Sequence, residues 1–252
     1  GLNEPRLRGS EFEWWYKVGD PLCMEADEVL NEYMSLIVKA IRETGGNNEK
    51  RFIMITPLAA GFQPSMESRI VLPDDSKYNP KNRKLILSVH MYAPYDFALN
   101  ADGTYDKFLE SYRYELASNF KALYGKFVAR NIQVILGEMG TLNKNNTEDR
   151  INYGRYYVVN ARKHHLSCVV WDNGVWDNKV VGDDMGELHR EDLIWNIPEL
   201  IDTYIKAGKT PFYEVGQSDF AIKLEDKFDK TNLVVDDGEA TFDEKYTSEQ
   251  LV

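Results

Sequence analysis

Cysteine is scarce in this sequence: Cys23 and Cys168 are the two present among 252 residues. Cys168 lies in an apolar run and is expected as a buried thiol rather than half of a bridge. Neither residue settles a redox compartment. Histidine is nearly as rare, with four copies. His164, His165 and His189 lack metal-ligand spacing with partners and are expected at the surface, so no metal and no cofactor is assigned. No stretch approaches the ~18 uninterrupted apolar residues of a membrane span, which excludes one. Positive charge is in deficit. The formal net charge of −11 argues against a nucleic-acid backbone as partner and leaves a neutral polymer open. A Gly-rich phosphate turn is also missing, because Gly45-Gly46 follows a helical pattern rather than a strand. Asn100-Ala101-Asp102-Gly103 lacks the full ligand ladder of a calcium loop and reads as a plain turn.

The apolar fraction of 43% is enough for a core. The length suits one large domain, or one domain plus a tail. Residues 1–210 are assigned to the domain. Residues 211–252 are assigned to an acidic tail, as a linker or the start of an appended module. That tail holds eleven acids against four lysines, so the acidity belongs mostly to it.

Val29, Leu30, Tyr33, Met34, Ile37, Val38 and Ile41 recur at helical spacing and predict one buried helix face, closed by Gly45 and Gly46. Continuous apolar runs at residues 51–56, 84–92, 132–138 and 167–172 predict buried strands. Residues 105–130 are helix-compatible. Asn146 with Thr147, Glu148 and Asp149 predicts a helix start, with acids where the dipole favours them. Residues 197–207 predict a last helix, with Pro198 in its first turn and Gly208 after its end. The tail offers short strand-like runs at 220–224 and 232–235.

Alternating strands and helices predict an α/β fold with a parallel sheet, either doubly wound or a (β/α)8 TIM barrel. Polar residues sit where strands end: Glu4, His90 with Tyr92, Glu138, and Trp171 with Asp172. That is the barrel-enzyme pattern. About 250 residues is a typical whole barrel, yet the elements make only four βα units, half of one.

Hydrolysis of a glycosidic bond uses an acid for the leaving oxygen and a second carboxylate at the anomeric carbon. Asn3-Glu4-Pro5-Arg6 offers one, and Ile135-Leu136-Gly137-Glu138-Met139-Gly140 the other. Together with Ser88-Val89-His90-Met91-Tyr92 and Val170-Trp171-Asp172-Asn173, these segments resemble strands four, seven, six and eight of glycoside hydrolase family 5. Thr44 through Asn48 (TGGNN) and His90 through Ala98 (HMYAPYDFA) resemble its endoglucanase and xyloglucanase subfamily. The resemblance runs from Gly1 to about Lys209.

The resemblance implies a TIM barrel of which this chain supplies the end of strand four through helix eight. It implies a retaining endo-β-1,4-glucanase acting on cellulose, mixed-linkage glucan or xyloglucan. Glu4 is then the acid/base and Glu138 the nucleophile. Asn3 holds a sugar 2-hydroxyl, and Tyr92 donates to Glu138. His90 bonds the substrate or Glu4, and Trp171 stacks on a sugar ring. Trp14, Trp15 and Trp176 are open between outer sugar subsites and loop packing. The family's further Arg and His have no counterpart in this chain. The partners implied are a β-glucan and either an N-terminal half or a second copy completing the barrel, with no nucleic acid and no membrane. The setting implied is secreted or cell-surface. A related β-mannanase, or a non-catalytic barrel fragment that binds glycans or assembles, is the competing reading.

Overall fold

The computed structural model describes residues 2–80, 84–176 and 184–211. The runs at 220–224 and 232–235, and all but the first residue of the acidic tail, lie outside them. The elements in chain order are α1 (Pro21–Glu43), β1 (Ile53–Ile55), α2 (Phe62–Glu67), β2 (Leu85–His90), α3 (Tyr95–Ala98) and α4 (Glu110–Lys126). Then come β3 (Gln133–Met139), α5 (Thr147–Lys163), β4 (Ser167–Val170), β5 (Leu188–His189), β6 (Ile194–Trp195) and α6 (Pro198–Ala207). The first four strands form a parallel sheet in the order β1-β2-β3-β4. The chain divides into two compact units, Gly1–Met91 with Leu123–Gly137, and Tyr92–Ala122 with Glu138 onward.

In the first unit, β1 pairs with β2 in parallel, Ile53 opposite Leu85 and Ile55 opposite Leu87. α1 begins where the Asp20 carboxylate accepts from the Leu22 and Cys23 amides at 3.0 and 3.3 Å, with Pro21 in the first turn. It ends at Thr44, and Gly45 and Gly46 follow with φ of 72° and 60°, conformations a side chain resists. The buried stripe is narrower than its spacing predicts. Leu30, Met34 and Val38 are buried, together with Asp27 and Arg42, whereas Val29 and Tyr33 are 41% and 52% exposed. The stripe runs at i, i+4 and extends through two polar residues because each is paired. Asp27 accepts from the Arg69 amide. Arg42 makes a two-pronged bond to Asp75 at 2.7 and 2.9 Å. It also donates to the carbonyls of Asn48 and Arg51 at 2.7 and 2.9 Å. Val29 and Tyr33 instead line an apolar groove of about 360 Å³ with Leu2, Pro5, Leu7 and Leu22.

In the second unit, aromatic rings form the core. Phe97 and Phe108 each lie 5.4 Å from Tyr153, and Phe120 lies 5.0 Å from Tyr157, edge to face. The buried hydroxyls of Tyr153 and Tyr156 donate to the carbonyls of Ala93 and Arg113, as burial demands. α5 packs on α6 closely because Gly154 has no side chain; a Cβ there would sit 2.6 Å from the Tyr204 ring. α4 starts five residues later than its pattern predicts. The Lys144 ammonium takes the carbonyls of Asp96, Phe97 and Tyr105, and Asp149 accepts from the Phe108 amide. The Tyr105 carbonyl and the Phe108 amide are thus satisfied outside a helix. Asn146 precedes α5 as expected, but its side chain bonds Lys144 N and Asp106 O rather than capping. The β5–β6 hairpin, antiparallel with Leu188 opposite Trp195, is an element that the sequence pattern missed. Two-residue strands leave no periodicity to detect.

His164 corrects a surface expectation. It is buried, 6.1 Å from the Phe120 ring, with Nδ1 2.8 Å from the Asn160 carbonyl. Burial pushes it down to about 4, against the smaller upward pull of that hydrogen bond. An unfolded histidine titrates near ~6.5. The imidazole is therefore neutral in the fold, and its contribution is complete above pH ~6.5 and lost as the pH falls toward ~4. The total is on the order of 3 kcal/mol. Urea unfolding at pH 7 and pH 4.5 should show a clearly smaller acid loss for His164→Gln than for the parent protein. Equal losses would refute this linkage.

Candidate active site

The segment carrying Asn3 and Glu4 lies in the first unit and is tied down at both ends. The Thr56 hydroxyl donates to Leu2 O at 3.3 Å, and the Ala59 amide donates to Pro5 O at 2.7 Å. It therefore runs beside the C-terminal end of β1, where Ala59 and Ala60 take left-handed φ values of 53° and 48°. Such values are strained for residues with a side chain. Glu4 points its Oε1 at His90 Nδ1, 2.7 Å away, with side chains 22% and 6% exposed. His90 closes β2, a strand whose residues are almost all buried. Asn3 is exposed.

Gly137, in the same unit, makes room for this arrangement. A Cβ there would collide with the Ser88 hydroxyl and lie 3.2 Å from the His90 ring. The glycine one residue before Glu138 is thus required by the strand beside it.

In the second unit, Glu138 lies next to last in β3. The Tyr92 hydroxyl donates to its Oε2 at 2.8 Å. β2 ends at His90, so Tyr92 lies beyond the strand rather than on it. β4 ends at Val170, and the Trp171 amide donates to Met139 O at 2.8 Å. The Trp171 ring is 41% exposed. Each glutamate thus has a hydrogen-bonding side chain against it, and each partner comes from the short stretch 90–92. A histidine against a carboxylate supports proton transfer, and a phenol that donates to a carboxylate fixes its direction.

The family model for Cellulase (glycosyl hydrolase family 5) matches residues 1–177. The chain belongs to glycosyl hydrolase family 5. Among characterised relatives, Endoglucanase 1 of Ruminococcus albus is 43% identical over 204 residues, covering 81% of this chain and 46% of that protein. Endoglucanase A of Clostridium longisporum is 33% identical, covering 86% and 40%. A family 5 lichenase from Caldicellulosiruptor sp. F32 superposes with a TM-score of 0.76 at 36% identity, over 82% of this chain and 56% of that one. A GH5-4 broad specificity endoglucanase from Ruminococcus champanellensis, solved with bound cellotriose, gives 0.71 at 37% identity, over 81% and 56%. The chain spans about half the length of the relatives it matches.

Family 5 membership brings the TIM-barrel fold, and the four parallel strands cover part of such a barrel. Trp14 and Trp15 are 48% and 61% exposed, and the Arg6 guanidinium sits 4.2 Å over the Trp14 ring. Trp176 stacks on His189 at 3.6 Å. Cys23 is buried, Cys168 is half-buried, and both are free. Asn100 and Asp102 form a plain turn, their side chains accepting the amides of Asp102 and Thr104. No helix among the described residues is long and apolar enough to cross a membrane. Sequence pattern missed one feature near these strand ends, the buried pair of Arg150 and Glu187, 2.7 Å apart. The single available signal was an arginine inside an otherwise apolar helix face.

Proposed function

We propose that this chain carries the working carboxylates of a retaining endo-β-1,4-glucanase, with Glu4 as acid/base and Glu138 as nucleophile. The observation that carries the reading is the pair of hydrogen bonds hung on residues 90–92: His90 to Glu4 and Tyr92 to Glu138. Glu138 attacks the anomeric carbon while Glu4 gives its proton to the leaving oxygen. Glu4 then takes a proton from the water that releases the glycosyl-enzyme. The Tyr92 hydroxyl holds Glu138 aimed. His90 holds Glu4 in place. Asn3 meets the sugar 2-hydroxyl, and Trp171 offers its exposed ring to a sugar face.

The substrate class is a β-glucan, supported by relatives named as endoglucanases and a lichenase. A polymer of that size stays outside cells, so a secreted setting belongs to the same proposal. So does completion of the barrel by four further βα units, from an N-terminal half or a second copy. The exposed face of α1, with Leu22, Val29, Tyr33 and Leu36 each above 40%, is apolar surface that such a partner covers.

The test is hydrolysis of barley β-glucan and cellotetraose, followed by proton NMR of the first products, with the solution mass of the active species recorded alongside. The expected result is release of the β-anomer first, from a species larger than the 29.1 kDa chain. First release of the α-anomer overturns the mechanism. Glucan binding without turnover in the completed assembly favours the glycan-binding fragment. Faster turnover of mannan than of glucan favours a β-mannanase.

A further inference from the structure

Two charges are buried where the mechanism uses neither. Arg150 on α5 and Glu187 are 1% and 3% exposed. The Arg150 Nη2 donates to Glu187 Oε1 at 2.7 Å, and its Nε donates to the Thr141 hydroxyl at 3.2 Å. Thr141 stands two residues past the end of β3 and three past Glu138. Glu187 in turn donates its amide to Asp172 Oδ1 at 3.3 Å, and the same oxygen accepts from Gly174 N at 2.8 Å. The Asn196 amide donates to Glu187 O at 2.7 Å, and Arg190 donates to Asp172 O at 2.9 Å. Trp171, beside Asp172, is tied to Met139 O. One guanidinium therefore holds together the two loops that leave β3 and β4.

We infer that Arg150 and Glu187 are positioning residues: through Thr141 and Asp172 they fix the ends of β3 and β4, and so the orientation in which Trp171 presents its ring. This rests on the proposed role of Trp171 toward substrate.

The chemistry of burial supports the assignment. Taking two charges out of water costs several kcal/mol each, and apolar residues of the same volume are often as stable or more so. Bulk stability thus gives no reason for this pair. Direction does, because a guanidinium bonds in fixed directions that an apolar packing lacks. The surroundings are also acidic. Burial pushes the Glu187 carboxyl up, Arg150 opposes this, and Asp172 and Asp184 add to it. Arg150 is the cation paired with Glu187, while Arg190 lies 3.7 Å from the Asp172 carboxylate; loss of Arg150 alone would leave Glu187 buried without its cation.

The test uses the full chain in its active assembly, and compares Glu187→Gln and the double change Arg150→Met with Glu187→Leu against the parent. Three quantities are read: thermal midpoint, kcat and KM on soluble β-glucan, and the indole N–H resonance of Trp171, identified by its loss in Trp171→Phe. The double variant should keep its midpoint within a few degrees, because both charges leave together. Its KM should rise about tenfold or more, as displaced contact groups cause, with a smaller change in kcat. The Trp171 resonance should shift or broaden. Glu187→Gln should show the same effects in weaker form. A double variant with parental KM and an unmoved Trp171 resonance overturns the proposal. If the double variant does not fold, parental KM and resonance in Glu187→Gln overturn it instead. If the parent itself hydrolyses no glucan, the glucanase reading fails, and the Trp171 resonance alone decides the positioning role.

Discussion

Glu138→Gln lowers turnover of soluble β-glucan by roughly four orders of magnitude or more, because no covalent intermediate forms without the carboxylate. The glutamine keeps the volume and still accepts from Tyr92, so folding and glucan binding should persist. Glu4→Gln behaves differently. It loses roughly 10²–10⁴ on natural β-glucan, the usual worth of a positioned proton donor. On an aryl cellobioside with a good leaving group, its first step should be close to parental, since that oxygen needs no proton. Added azide should then speed breakdown of the glycosyl-enzyme, replacing the water that Glu4 no longer activates. Burst kinetics on both substrates read these steps separately. Equal losses on activated and natural substrates in both variants would mean that the roles are misassigned.

The largest expected loss of stability comes from Asp75→Ala. Arg42 and Asp75 have side chains 1% and 0% exposed. The guanidinium joins the last turn of α1 to Asp75 and to the carbonyls of Asn48 and Arg51. Removing the carboxylate leaves a buried cation with half its partners, at a cost of about 3–5 kcal/mol. That is a large part of the ~5–15 kcal/mol separating a typical folded domain from its unfolded chain. Replacing both, with Arg42→Met and Asp75→Leu, should cost much less, because no charge is left unpaired. Urea midpoints of the single and double variants provide the check. A single-variant loss below about 1 kcal/mol, typical of an exposed pair, would show that the site is open to water.

Arg42 also explains the segment Thr44–Asn48. That run was legible in the sequence as part of a family resemblance, with Gly45 and Gly46 as the close of the helix and no role for Asn48. The structure supplies one: the left-handed Gly45 and Gly46 turn the chain so that Asn48 O faces the arginine. The site reads similarly. That His90, Tyr92 and Glu138 matter was visible from their positions at the ends of apolar runs, and that Glu4 matters was visible from the family resemblance of Asn3 through Arg6. The resemblance also implied the bond from Tyr92 to Glu138, which the structure shows; for His90 it left the substrate and Glu4 open, because Glu4 and His90 are 86 residues apart in the chain. Asn146 shows the limit of local signals: it sits where a cap belongs, yet its side chain bonds Asp106 O.

By itself the sequence determined the types of the longer elements, the four strands in chain order and the place of Glu138 near a strand end. Apolar periodicity and strand-end position are local properties, readable over a few residues. Only the tertiary structure decided the rest. It put His164 in the core against Phe120, although its neighbours in the chain are polar. It turned Val29 and Tyr33 of α1 outward and Arg42 inward. It brought Arg150 and Glu187 together from opposite sides of β4. Each of these outcomes depends on what another segment offers at close range. A buried ion pair or an open apolar face is a property of two surfaces, and one stretch of sequence encodes only one of them.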